Sequence, residues 1–229
     1  MLAVDHLHRR VPQHPQQQFP LRLLNRPPSI TGLSGGPAFG IADLTTFAFS
    51  VFASDPDGDQ LTYAWSVVDS GRGQVRNGSG PNFQGTFSQG LLGSVVRFVV
   101  SDGRGGTASR DSQSFVVGSM SWDWMVTSPR FPDVAMFYLR LRQDAGGVVV
   151  GDILTITETV IGKTDPGAPG RIDAQGQVTI RLKFNNGADV TIAGQMQTNG
   201  DQVIGRFVNA RATFNGVPLD GLPATMEID

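Results

Sequence analysis

The chain has no cysteine, three histidines, two glutamates and two lysines among its 229 residues. Each scarcity closes a route. Without cysteine there are no disulfides, thiol nucleophiles or thiolate metal sites. Small secreted eukaryotic modules of this size often carry disulfides, so their absence points to a bacterial extracytoplasmic or a cytosolic setting. His6, His8 and His14 all lie in the first 14 residues, which removes a Ser-His-Asp triad and a histidine zinc site from the rest of the chain. Glu158 and Glu227 are the only glutamates, and half of the aspartates sit beside Gly or Pro. No carboxylate pair suited to the acid and base of a glycosidase emerges, and the chain reads as non-catalytic. No segment approaches the roughly 18 consecutive apolar residues of a membrane-spanning helix. A formal net charge of −2 gives no reason to expect a nucleic-acid partner.

Glycine and proline are plentiful, at 29 and 14 residues. Both punctuate short strands, and no stretch of useful length carries the helical period, so the chain reads as all-β. Residues 1–29 stand apart. Met1 to Arg10 has charges where a signal peptide needs a continuous apolar core, and Pro12 to Pro28 is too rich in Pro, Gln and Arg to pack. This segment is expected to be a disordered tail.

Residues 30–117 read as a β-sandwich. Phe47, Phe49 and Val51 alternate with Ala48 and Ser50, and Leu61, Tyr63, Trp65 and Val67 alternate with Thr62, Ala64 and Ser66. Val95 to Val100 is a β-branched run that ends at Ser101-Asp102-Gly103. Short strands with turn signals every 8–12 residues or so form the sandwich pattern. Between the first two strands stands Asp55-Pro56-Asp57-Gly58-Asp59, with carboxylates at alternate positions that suit a calcium loop. An EF-hand is ruled out, because Ser66 occupies the twelfth position where a bidentate Glu is required.

Residues 120–229 read as a second antiparallel unit. Phe137, Leu139 and Leu141 alternate with Tyr138, Arg140 and Arg142. The turns Ala174-Gln175-Gly176, Asn185-Asn186-Gly187, Thr198-Asn199-Gly200 and Asn215-Gly216 set strands about ten residues apart, and Asn-Gly is a strong hairpin signal. Such a meander closes into a small barrel or folds as a second sandwich. Trp122 and Trp124 share a face of its first strand. With Phe137 they are candidates for an apolar ligand site, and Tyr138 and Arg140 are candidates for a polar strip on the opposite face.

The run Asn25-Arg26-Pro27-Pro28-Ser29-Ile30, the Asp-Pro-Asp-Gly-Asp turn, Leu61-Thr62-Tyr63-Ala64-Trp65, and Val100-Ser101-Asp102-Gly103 with Gly105-Gly106-Thr107-Ala108 together resemble the PKD and bacterial cadherin-like immunoglobulin-fold modules over residues 25–117. The second half resembles small lipocalin-like and avidin-like barrels only in strand rhythm and an early tryptophan. The first resemblance implies an extracytoplasmic, non-catalytic spacer or adhesion module, secreted or on the cell surface. It also implies calcium as the cofactor, held by Asp55, Asp57, Asp59 and Asp102. The fold expected is an immunoglobulin-like β-sandwich followed by a small antiparallel β-barrel or second β-sandwich. The function expected is binding to a cell-surface or extracellular polymer. The alternatives are a lipocalin-like carrier of a small apolar molecule and an accessory carbohydrate-binding protein.

Overall fold

The computed structural model describes residues 24–128, 131–199, 202–206, 211–214, 217–219 and 225–228. The expected tail up to residue 23 lies outside them. Only strands, turns and loops occur among the described residues, and no helix is long and apolar enough to cross a membrane.

The first half folds into strands β1 (Ser29–Ser34), β2 (Phe39–Ile41), β3 (Phe47–Ser54), β4 (Thr62–Asp69), β5 (Gly73–Ser79), β6 (Asn82–Gly85), β7 (Leu91–Ser101), β8 (Thr107–Asp111) and β9 (Phe115–Gly118). One sheet runs β1-β3-β6; the other runs β2-β9-β7-β4-β5, with β8 also on β7. All ladders are antiparallel except β2 with β9, which is parallel. The period-2 alternation of β3, β4 and β7 turns Phe47, Phe49, Val51, Val67, Val96 and Phe98 inward, each at most 3% exposed. Phe47, Phe49, Phe83, Phe87 and Phe115 form a ring cluster with centroid separations of 4.9–6.3 Å, in the range where tilted aromatic pairs add to simple burial. Tyr63 and Trp65 pack on this core. The indole of Trp65 lies across Gly78, its cross-strand partner on β5, where no Cβ would fit.

The second half contains β10 (Asp123–Ser128), β11 (Phe131–Gln143), β12 (Val148–Leu154), β13 (Val160–Thr164), β14 (Gly170–Ile172), β15 (Gln177–Phe184), β16 (Asp189–Asn199), β17 (Gln202–Arg206), β18 (Arg211–Phe214), β19 (Val217–Leu219) and β20 (Thr225–Ile228). Pairing is antiparallel throughout and runs β10-β11-β12 to β13 and β14, then β15-β16-β17-β20, and back from β20 to β10. The sheet is therefore a closed barrel, and its main circuit has no free edge. The hairpin β18–β19 hangs from β16 outside this circuit. Trp124, Leu139, Ile153, Ile180, Leu182 and Ile192 are buried in the barrel core at 0% exposure.

The two cores meet at a shared wall. All four residues of β9 are buried. Phe115 and Val117 belong to the sandwich core, while Val116 between them belongs to the barrel core. On β2 and its following turn, Phe39, Ile41 and Leu44 pack into the barrel cluster, and Ala42 into the sandwich cluster. Polar links reinforce the seam: Gln143 Nε2 donates to the Ala42 carbonyl at 2.8 Å, and its Oε1 accepts from the Met120 amide at 3.0 Å. A Cβ at Gly118 would fall on the Met196 sulfur and the Phe39 ring, so a larger residue there would push these side chains aside.

Candidate functional site

The acidic turn is a rigid Asx turn. Asp55 Oδ1 accepts the amides of Asp57 at 2.8 Å and Asp59 at 3.2 Å, and Gly58 supplies the positive φ of 78° that the reversal requires. The remaining acids are drawn in different directions. Asp57 Oδ1 takes the Arg26 guanidinium through Nε at 2.9 Å and Nη2 at 2.7 Å, and Oδ2 takes the Arg26 amide at 2.7 Å. Asp102 Oδ1 accepts the Arg104 and Gly106 amides, and Oδ2 accepts the Asn25 side-chain amide at 2.7 Å. Asp59 Oδ1 meets Arg104 Nε at 3.0 Å. Asn25 and Arg26, which the sequence assigns to the loose tail, are thus docked on the sandwich.

Two oxygens remain over. Asp55 Oδ2 and Asp59 Oδ2 are both buried without a hydrogen-bond partner. A buried bare carboxylate oxygen is costly unless a donor or a cation answers it, and hard oxygens of this kind suit calcium. Asp55 and Asp59 each keep one oxygen without a protein donor, whereas both oxygens of Asp57 and of Asp102 accept protein hydrogen bonds. Among the described residues no group of three or more acidic or histidine side chains is gathered for a metal.

Hydrogen bonds set the titration of this region. The Arg26 side chain, and then its amide, hold the Asp57 carboxyl below the usual carboxylate range. The Asn25 amide does the same for Asp102, aided by the backbone amides. In the barrel, the Gly167 amide and then Lys183 lower Asp165. Because the folded values lie below the unfolded ones, these contributions are complete above about pH 4 and are lost as pH falls through the folded values. Thermal melts at about pH 7 and pH 5 should therefore nearly coincide, with a decline setting in below about pH 4. Asp102→Asn should flatten that decline. An unchanged midpoint near pH 2.5 would contradict the assignment.

The five residues singled out as ligand contacts fall into three environments. Trp124 and Phe137 are interior, at 0% and 8% exposure. Trp124 Nε1 donates to the Met120 carbonyl at 3.2 Å, and Phe137 stands edge-on to Phe184 at 5.5 Å. Trp122, just before β10, is half-buried beside Trp124 at 6.2 Å and lies against Gly90 of the sandwich.

Tyr138 and Arg140 lie on the outer face, because the alternation that buries Phe137, Leu139 and Leu141 turns them outward. They line an open groove of about 160 Å³ with Asp123, Leu154, Ile156 and Glu158. Arg140 Nε meets Asp123 Oδ1 at 3.2 Å, across a directly opposed β10–β11 pair, and Nη2 reaches Glu158 at 4.0 Å. Register sets Asp123 opposite Arg140 on β10 and Asp152 opposite it on β12, and the guanidinium bonds Asp123. Glu158, at the β12–β13 tip, has a φ of +58°, a conformation that side-chain-bearing residues seldom adopt outside functional or tightly constrained turns. Beside it Ile156 is 80% exposed.

With this geometry in hand, comparison with known proteins places one part of the chain. Residues 25–113 match the family model described as a bacterial Ig domain. The match begins at the Asn25 that anchors Asp102, and it covers β1 to β8 of the sandwich but neither β9 nor the barrel. It supports the immunoglobulin-like fold of that half. Domains of this kind are typically found outside the cell or at its surface and are generally not enzymes. No curated protein and no solved structure matches the chain.

Proposed function

We propose that this protein is a non-catalytic bacterial surface or secreted binding protein, in which the outer wall of the barrel engages an extracellular polymer. The observation that carries the reading is the outward groove of Tyr138, Arg140, Asp123 and Glu158. An aromatic face, a fixed guanidinium and flanking carboxylates suit the hydroxyl-rich repeat of a polysaccharide. The wild-type protein should be retarded in gels containing a cell-envelope or matrix polysaccharide, and Tyr138→Ala with Arg140→Ala should migrate freely. Retention that survives both substitutions, or a small apolar molecule found bound by native mass spectrometry, would overturn the assignment.

The sandwich supports the barrel, with calcium as its stiffener at Asp55 and Asp59. A ligand that binds only the native state adds about 2.7 kcal/mol at a hundredfold excess over its dissociation constant. Millimolar calcium should therefore raise the melting temperature relative to excess EDTA. Asp59→Asn should remove that rise and Asp57→Asn should leave most of it, since Arg26 already satisfies Asp57. Identical midpoints in calcium and EDTA would rule the ion out of this reading.

A further inference from the structure

A second groove lies where the two halves meet. It measures about 500 Å³, within the roughly 300–1,000 Å³ typical of small-molecule sites, and domain junctions are a preferred place for such sites. Its walls are Trp122 from the barrel side and Ser70, Arg72, Gly90 and Leu92 from the sandwich. None of these belongs to the groove around Tyr138 and Arg140.

The walls are held before any ligand arrives. Asp69, 4% exposed, accepts four hydrogen bonds: the Gly71 and Arg72 amides on Oδ1, and the Leu92 amide and Ser94 hydroxyl on Oδ2. It fixes the β4–β5 turn against the start of β7. Both of its oxygens are used, so it offers the groove no acceptor. Arg72 Nη1 donates to the Gly90 carbonyl at 3.1 Å, which holds the guanidinium at the residue on which the Trp122 ring also packs. Among the described residues Arg72 has no carboxylate partner, unlike Arg26, Arg97, Arg104, Arg140 and Arg181. The Trp122 ring packs on Gly90, where any side chain would collide with it, and Leu92 is 39% exposed.

We infer that this junction groove binds a carboxylate-bearing sugar ring, as found in the uronate units of acidic polysaccharides. The Arg72 guanidinium, which no carboxylate contacts among the described residues, matches a carboxylate through two parallel hydrogen bonds, and the Asp69 charge in the same groove is taken up by its four donors. Trp122 and Leu92 offer an apolar platform to the C–H face of a pyranose, and the Ser70 hydroxyl, which donates to the Leu92 carbonyl at 2.7 Å, keeps acceptor capacity for a sugar hydroxyl. The choice of a sugar acid over another carboxylate rests on the reading of the protein as a polysaccharide binder; the groove itself stands on separate residues.

The test is calorimetric titration of the full chain with an oligogalacturonate and with a neutral oligosaccharide of equal length. Wild type should bind the acidic probe, more weakly at high salt, and discriminate against the neutral one. Arg72→Gln, an exposed change that leaves Asp69 and its four bonds in place, should weaken binding about tenfold or more, as loss of a charged hydrogen bond implies. Arg72→Lys should fall between. Trp122→Phe should abolish any quenching of tryptophan fluorescence by the probe. Binding that Arg72→Gln leaves intact but Tyr138→Ala removes would overturn this inference and keep the outer-wall reading. Binding lost in Arg72→Gln and kept in Tyr138→Ala would do the reverse. Wild-type indifference to both probes would overturn the junction site outright.

Discussion

Ile41→Ala is expected to cost about 2–5 kcal/mol, the range for truncating a fully buried aliphatic side chain, and to inflict the loss mainly on the barrel. Ile41 lies on a sandwich strand, is 0% exposed, and packs in the barrel cluster with Met120, Trp124 and Met196. The cavity would open at the barrel's end, where β2 and Gly176 approach each other. Hydrogen exchange read by mass spectrometry is the discriminating measurement: amides of β12 and β15 should lose protection more than those of β4 and β7. Phe52→Ala, at a site 57% exposed, is the matched control and should change stability by under about 0.5 kcal/mol. If the Ile41 variant loosened only the sandwich, the shared-wall description would be wrong.

Asp69→Ala should be nearly as damaging, at about 3 kcal/mol, because each buried donor left without a partner costs about 1–3 kcal/mol and water can rescue only the more exposed of them. Its four donors come from two segments, the β4–β5 turn and the start of β7, which the Ser70–Leu92 and Arg72–Gly90 hydrogen bonds also join. Asp69→Asn should recover only part of the loss, since the amide's NH2 group would face donors. Chemical denaturation with fluorescence detection would measure both. A variant as stable as wild type would mean that the turn is held without this carboxylate.

The alternation of Phe47, Phe49, Leu61, Tyr63, Leu139 and Leu141 is a local property, and it made the strands and their inward faces legible in the sequence. The hairpin turn at Asn186-Gly187 was legible for the same reason: the left-handed Gly187, with a φ of 85°, is a local demand. The outward placing of Arg140 followed from alternation, but its pairing with Asp123 depends on register, which local pattern does not carry. Ile41 and Val116 read as ordinary sandwich residues. Their membership of the other core reflects how two units pack, and nothing in a short window encodes that. The acidic turn was visible as a cluster, yet its division between saturated and bare carboxylates depends on Asn25, Arg26 and Arg104, which are distant in sequence. The junction groove was hidden for the same reason, since Arg72 and Trp122 are brought together only by the wall.

The strand that closes the barrel has a temporal meaning. β20 pairs with β10 on one side and with β17 on the other, Trp124 standing opposite Ile228. Contacts spanning about a hundred residues form late and slowly, because the loop-closure entropy must be met first. During synthesis or export β10 and β17 remain as two unpaired borders until the segment Thr225–Ile228 has emerged. Through that interval two unpaired strand borders are templates for strand exchange with neighbouring chains.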